Sequence, residues 1–197
     1  MKAVSTVLIR DGFTGLTLKA LAGEAGVDKV LIYRYFGPMD AVLAAFAASS
    51  VFWPSAQDVV PDADTALTES DRLARFLDRT ITELRSRPLT LELLAMEIGS
   101  PNPLTAALDE AREAWGTDVA RRLGRAHAAD AEHLNIAISL ILAGVQNLAV
   151  RGRGTPVYSG IHIGSDDGWD QIRASLGWIS SRLMGPPGSA GPVDEGV

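Results

Sequence analysis

Lys29, Tyr33, Arg34 and Tyr35 put two cations and two phenols into seven consecutive positions with no carboxylate between them. Guanidinium and ammonium groups bond phosphates and guanine edges, and phenol hydroxyls donate to phosphate oxygens. The combination is suited to holding a nucleic acid. Other constellations in the chain lack the spacing that chemistry demands. His127, His133 and His162 match no metal-ligand pattern. Asp109, Glu110 and Glu113 read as the solvated face of a helix. The Asp166-Asp167-Gly168 stretch lacks the further alternating acids of a calcium loop and reads as a helix start. The glycines at 152 and 154 follow a helix, whereas a phosphate cradle would open one. With no cysteine, thiolate metal sites, disulfides and a cysteine nucleophile are excluded. The expectation is a non-enzymatic protein with no metal and no cofactor.

The cationic stretch must be held by something, and residues 16–36 supply it. Thr17 is an N-cap residue, and Leu18, Leu21, Ala22 and Ala25 recur on one helical face. Gly26 readily takes the left-handed conformation that ends a helix. Val27 is expected to re-enter the core, and Asp28 to cap a second helix that buries Ile32 and Phe36. Lys29, Leu31, Tyr33, Arg34 and Tyr35 then lie on its open face. Two helices about a glycine turn form a helix-turn-helix, whose second helix enters the DNA major groove.

Residues 12–46 read GFTGLTLKALAGEAGVDKVLIYRYFGPMDAVLAAF. The GF before the first turn, the LT at the cap, the AGV turn and the IYRYF end of the second helix resemble the DNA-binding domain of TetR-type transcriptional regulators. The resemblance covers about the first quarter of the chain. It implies a three-helix head on a helical body, Thr17 and Lys19 beside the DNA backbone, and a small-molecule effector in the body. It also places a phosphate-binding lysine where this chain has Met39.

Composition fits that layout. The 197 residues are 47% hydrophobic, enough for one or two small domains. Net charge is −6, but it is unevenly spread. Residues 1–40 carry five cations and four carboxylates, and the rest carries thirteen cations and twenty carboxylates. A head of net +1 needs a second head to hold DNA well, which argues for a homodimer on a palindromic operator. No apolar run is expected to approach the roughly 20 residues that span a bilayer. The N-terminus lacks the pattern of a signal peptide, so a cytoplasmic location without membrane contact is expected.

Periodicity predicts about nine helices and no sheet, an all-α protein. Residues 1–45 form the head, 46–184 the ligand-binding and dimerisation body, and 185–197 a Gly/Pro-rich disordered tail. Residues 55–67 read as a loop, and 157–163 as a loop with a possible extended piece. Residues 136–145 are apolar apart from Ser139, the mark of a helix buried on several sides, in a core or between subunits. Trp169, Ile172, Leu176, Ile179 and Leu183 follow a heptad-like spacing and are the expected dimer seam. Phe76, Met96, Glu97, Trp115, Gln146 and Asn147 are the candidate ligand-pocket residues. The expected function is a ligand-responsive repressor. The alternative is a ligand-binding or structural helical dimer with a weakened head, suggested by Met39, the short first helix and the acidic total.

Overall fold

A computed structural model describes residues 1–97, 102–124 and 131–184. The head comprises α1 (Lys2–Asp11), α2 (Leu18–Ala25) and α3 (Lys29–Phe36), and α4 (Met39–Ala47) leads out of it. The body continues with α5 (Ala56–Val59), a 3-10 turn (Asp62–Ala66), α6 (Glu69–Arg85), α7 (Pro88–Glu97), α8 (Pro103–Arg122), α9 (Ala131–Arg151) and α10 (Asp166–Leu183). No strand occurs among the described residues. The 157–163 stretch contributes a single bridge between Tyr158 and Ile161. The architecture is all-α, as expected. The tail at 185–197 and His127 lie outside the described residues.

The tenth helix comes from the stretch read as a loop. Ser55 and Asp58 close a capping box on α5, and Val59 and Val60 are buried beneath it. A four-residue helix is too short for periodicity to reveal, and its two caps stand where a loop's polar residues would. Arg72 on α6 then ties the 3-10 turn down through the carbonyls of Asp64, Thr65 and Leu67. Asp64 is buried and ion-paired to Arg79.

α6 is the axis of the body. Leu73, Phe76, Leu77, Ile81 and Leu84 form its buried stripe, and α5, α7, α9 and α10 pack around it. α4 lies along α8 and so carries the head on the body. Buried Thr90 of α7 donates to the carbonyl of Phe52 at 2.5 Å, which anchors the segment between α4 and α5.

The C-terminal seam is placed differently from expectation. Trp169, Ile172 and Leu176 are buried within their own subunit, where α10 packs along α6. Trp169 also donates its indole N–H to Ile163 at 2.8 Å. Gly168 permits this docking, because a Cβ there would meet the His162 carbonyl oxygen at 1.9 Å. Ile179 is half-buried against the same core, and Leu183 is exposed. A heptad-like stripe marks an apolar face without saying which helix it meets, and here it meets α6.

α9 is only partly covered by its own subunit. Ile138, Val145 and Ala149 are buried, but Ile136 and Leu140 are 53% and 69% exposed. The segment Glu132–Arg151 is long and apolar enough to cross a membrane by length and composition, although only 17% of its most apolar window is buried. No uninterrupted run signalled this, because Asn135, Ser139, Gln146 and Asn147 break the apolar sequence while the average stays high.

Candidate DNA-binding face and ligand cavity

The head is built as its residues dictate. Thr17 accepts from the Ala20 N–H at 3.1 Å and starts α2. Gly26 ends it at φ 66°, and the Val27 N–H turns back to the Ala22 carbonyl at 3.1 Å. Asp28 accepts from the Val30 N–H at 2.7 Å and starts α3. Val4, Val7 and Leu8 of α1 meet Leu21 and Ile32 in the head's core.

Ile32 is the single buried residue of α3. Phe36 and Val27, expected inside, are 42% and 37% exposed. Three helices of eight to ten residues are too small to cover both sides of α3. These two residues instead line a shallow apolar groove of about 170 Å³, with Met1, Val4, Leu31 and Tyr35.

The opposite face of α3 carries the candidate contacts. Lys29, Tyr33 and Arg34 are exposed there, Leu31 and Tyr35 are exposed on the groove side, and Thr17 and Lys19 are exposed at the start of α2. Val30, one turn before Arg34 and 65% exposed, stands at the centre of this face. Residue type hid it, since a valine reads as core. Its position one turn from Arg34 and across the helix from Ile32 is the signal that could have found it. An exposed valine there is suited to a thymine methyl group.

Charge reinforces this surface. Arg10 of α1 holds Asp11 at 2.9 Å and Glu24 at 2.8 Å. Hydrogen bonding to Asp11, then to Glu24, raises the Arg10 guanidinium further above its ordinary value, and the same bond from Arg10 holds the Asp11 carboxyl below its own. One arginine thereby engages two of the head's four carboxylates. Lys19, Lys29 and Arg34 carry no ion pair among the described residues, so the open face is more cationic than a net +1 suggests. Met39 opens α4 half-buried against the core.

In the body, a cavity of about 500 Å³ opens between α8 and α9 over Phe76 of α6. Phe76, Trp115 and Gln146 line it, together with Arg112, Ile138 and Leu142 among others. Met96 and Asn147 are exposed and stand outside it, and the side chain of Glu97 lies outside the described residues. Asn147 sits beside Gln146 in sequence, but on a helix adjacent residues face different ways.

An aromatic chain leads from this cavity to the head. Phe76 stands 6.2 Å from Trp115, Trp115 meets Trp53 edge-on at 5.4 Å, Trp53 meets Phe52 at 5.6 Å, and Phe52 meets Phe46 of α4 at 6.4 Å. The indole N–H groups of Trp53 and Trp115 are buried without an acceptor. His133 and His162 are exposed, and no three His, Asp or Glu side chains converge among the described residues.

Residues 1–46 match the bacterial regulatory proteins of the tetR family. The whole chain is similar in structure to a candidate TetR-family transcriptional regulator from Rhodococcus sp. The TM-score is 0.64 at 20% identity, over 93% of this chain and 95% of that one. A TetR-like transcriptional regulator from Rhodococcus sp. RHA1 superposes with a TM-score of 0.58 at 21% identity, over 94% and 93%. A protein of unknown function from the same organism does so at 0.58 and 20%, over 93% and 92%. No match to a curated protein accompanies these likenesses. At such identities the structures speak for the fold, and the head's own sequence speaks for the family. By sequence the head at residues 1–46 is that of the tetR-family bacterial regulatory proteins, and the whole chain shares the fold of the solved structures it resembles.

Proposed function

We propose that the protein is a ligand-responsive repressor that binds a palindromic operator as a homodimer. The observation that carries this reading is the open face of α3, where Lys29, Val30, Tyr33 and Arg34 are exposed on a helix anchored by Ile32. Arg34 and Lys29 reach guanine edges or phosphates, and the tyrosine hydroxyls fix register on the backbone. Two heads place two such helices in major grooves about 34 Å apart, or a multiple of that.

The exposed sides of α9 and α10 support a two-fold contact. Ile136, Leu140, Ala143 and Gly144 follow one another at helical spacing on α9, and Trp178 and Leu183 are exposed on α10. An apolar helix so little covered by its own subunit is suited to a second copy, and an isologous contact provides the axis a palindrome requires. Ligand in the α8–α9 cavity would favour the head spacing that fits DNA less well, to the extent that it binds that state more tightly.

Selection of bound sequences from a random DNA pool tests the reading. A palindromic consensus is the expected outcome, and recovery of no enriched sequence would leave a helical ligand-binding dimer in its place.

A further inference from the structure

The walls of the α8–α9 cavity differ in kind. Phe76 and Trp115 form an aromatic end, and Ile138 and Leu142 an aliphatic side. Between them the facing helices are kept low by Gly116 and Ala120 on α8 and Ala143 on α9. A Cβ built on Gly116 would meet nothing within 4 Å. Small residues opposite each other, closed by rings at one end, make a slot and not a round chamber.

The slot offers a ligand no buried unmatched charge. The guanidinium of Arg112 bonds Asp109 at 3.0 Å and lies over the Trp53 ring at 5.9 Å, so its charge is balanced before anything enters. Glu113, the other charged residue of the lining, is exposed, where water screens it. A buried ion would therefore lack a partner, which is costly. Gln146 differs: half-buried on the wall, its amide makes no hydrogen bond to another described residue. It can both donate and accept.

We propose that this cavity takes a neutral, flat, ring-containing molecule with one hydrogen-bonding group, such as a ketone, on its edge. The ring lies in the slot against Trp115 and Phe76, and the polar edge meets the Gln146 amide. This rests on the ligand-responsive reading and adds the chemical class of the ligand.

The test uses the full chain without DNA and four probes measured by titration calorimetry: 2-acetylnaphthalene, 2-ethylnaphthalene, 2-naphthoate and 2-naphthylmethylammonium. The ketone should bind saturably, and about tenfold more tightly than the hydrocarbon, the worth of one hydrogen bond. Both ions should bind more weakly than the ketone. Gln146→Leu should erase the preference of ketone over hydrocarbon. Gly116→Leu should abolish binding of all four by filling the slot. It removes a helix-interior glycine and its Cβ meets open space, so the fold should survive, which a thermal melt checks. Absence of saturable ketone binding, tighter binding of either ion, or an unchanged preference in Gln146→Leu overturns the proposal. So does unaltered binding in a folded Gly116→Leu. Failure here beside a palindromic DNA consensus would sink the ligand class and leave the regulator. Ketone binding without any DNA selection would do the reverse.

Discussion

At the scale of single residues, the two ends of α3's outward face make different claims. Arg34 has no ion-pair partner among the described residues and Tyr33 is 60% exposed, so neither contributes to the head's core. Arg34→Ala should weaken specific DNA binding by about tenfold or more, the worth of a lost guanine contact, with the thermal midpoint unchanged. Tyr33→Phe should weaken it less, since one phosphate contact is lost. Normal affinity in both variants, measured by fluorescence anisotropy, would mean that α3 presents another face. Met39 is a second residue with a definite expectation. A lysine there could lay its stem on the core, as Met39 now does, and lift its ammonium toward the backbone. Met39→Lys should tighten binding to any duplex and steepen the salt dependence by about one phosphate contact. A salt slope identical to that of the parent protein would place this position away from DNA.

At the scale of elements, exposure sets α9 apart from α10. Leu176 is 8% exposed and packs toward α6, so Leu176→Glu should unfold the body by burying an unpaired charge. Leu140, at 69% exposure, should tolerate glutamate in the folded subunit and yet break the proposed two-fold contact. Sedimentation of Leu140→Glu as a folded monomer is expected, with specific DNA binding lost. A folded variant that stays dimeric would move the interface off α9. The buried Asp64 offers a third element-scale expectation. Arg79→Leu strands its carboxylate beneath the 3-10 turn and should cost about 3 kcal/mol in urea denaturation. A loss of a few tenths of a kcal/mol would show that the Asp64 carboxylate is solvated without its partner.

At the scale of the whole molecule, head and body share one continuous hydrophobic core that runs from Val4 to Leu176. Phe46, Phe52 and Trp53 are its narrow middle, and each is at most 5% exposed. Through them the cavity wall at Trp115 touches the helix that leaves the head, so a change of ring position there has a packed route to α4. One core implies one cooperative unfolding event. Circular dichroism and calorimetry should trace a single transition. Trp53→Ala, which empties the middle of that chain, should lower stability by about 3 kcal/mol or more. Two well-separated transitions in the parent protein would show that head and body unfold independently.

The helical class, the helix-turn-helix and the exposure of Lys29, Leu31, Tyr33, Arg34 and Tyr35 were legible in the chain, while the exposure of Val30 and Phe36 was not. The legible features depend on local signals: Thr17 and Asp28 as caps, Gly26 as a stop, and cations and phenols packed along one turn and a half. Of the six candidate pocket residues, Phe76, Trp115 and Gln146 line the α8–α9 cavity, and Met96 and Asn147 stand outside it. What the tertiary structure alone decided is which neighbour each apolar stripe meets. Trp169, Ile172 and Leu176 satisfy a heptad spacing equally well against a partner or against α6, and α6 takes them. Phe36 and Val27 belong by type to a core, but the small head leaves them partly in the open. Hydrophobic burial has no direction of its own. A sequence states how much apolar surface must be hidden, and only the packing of the chain in three dimensions settles where.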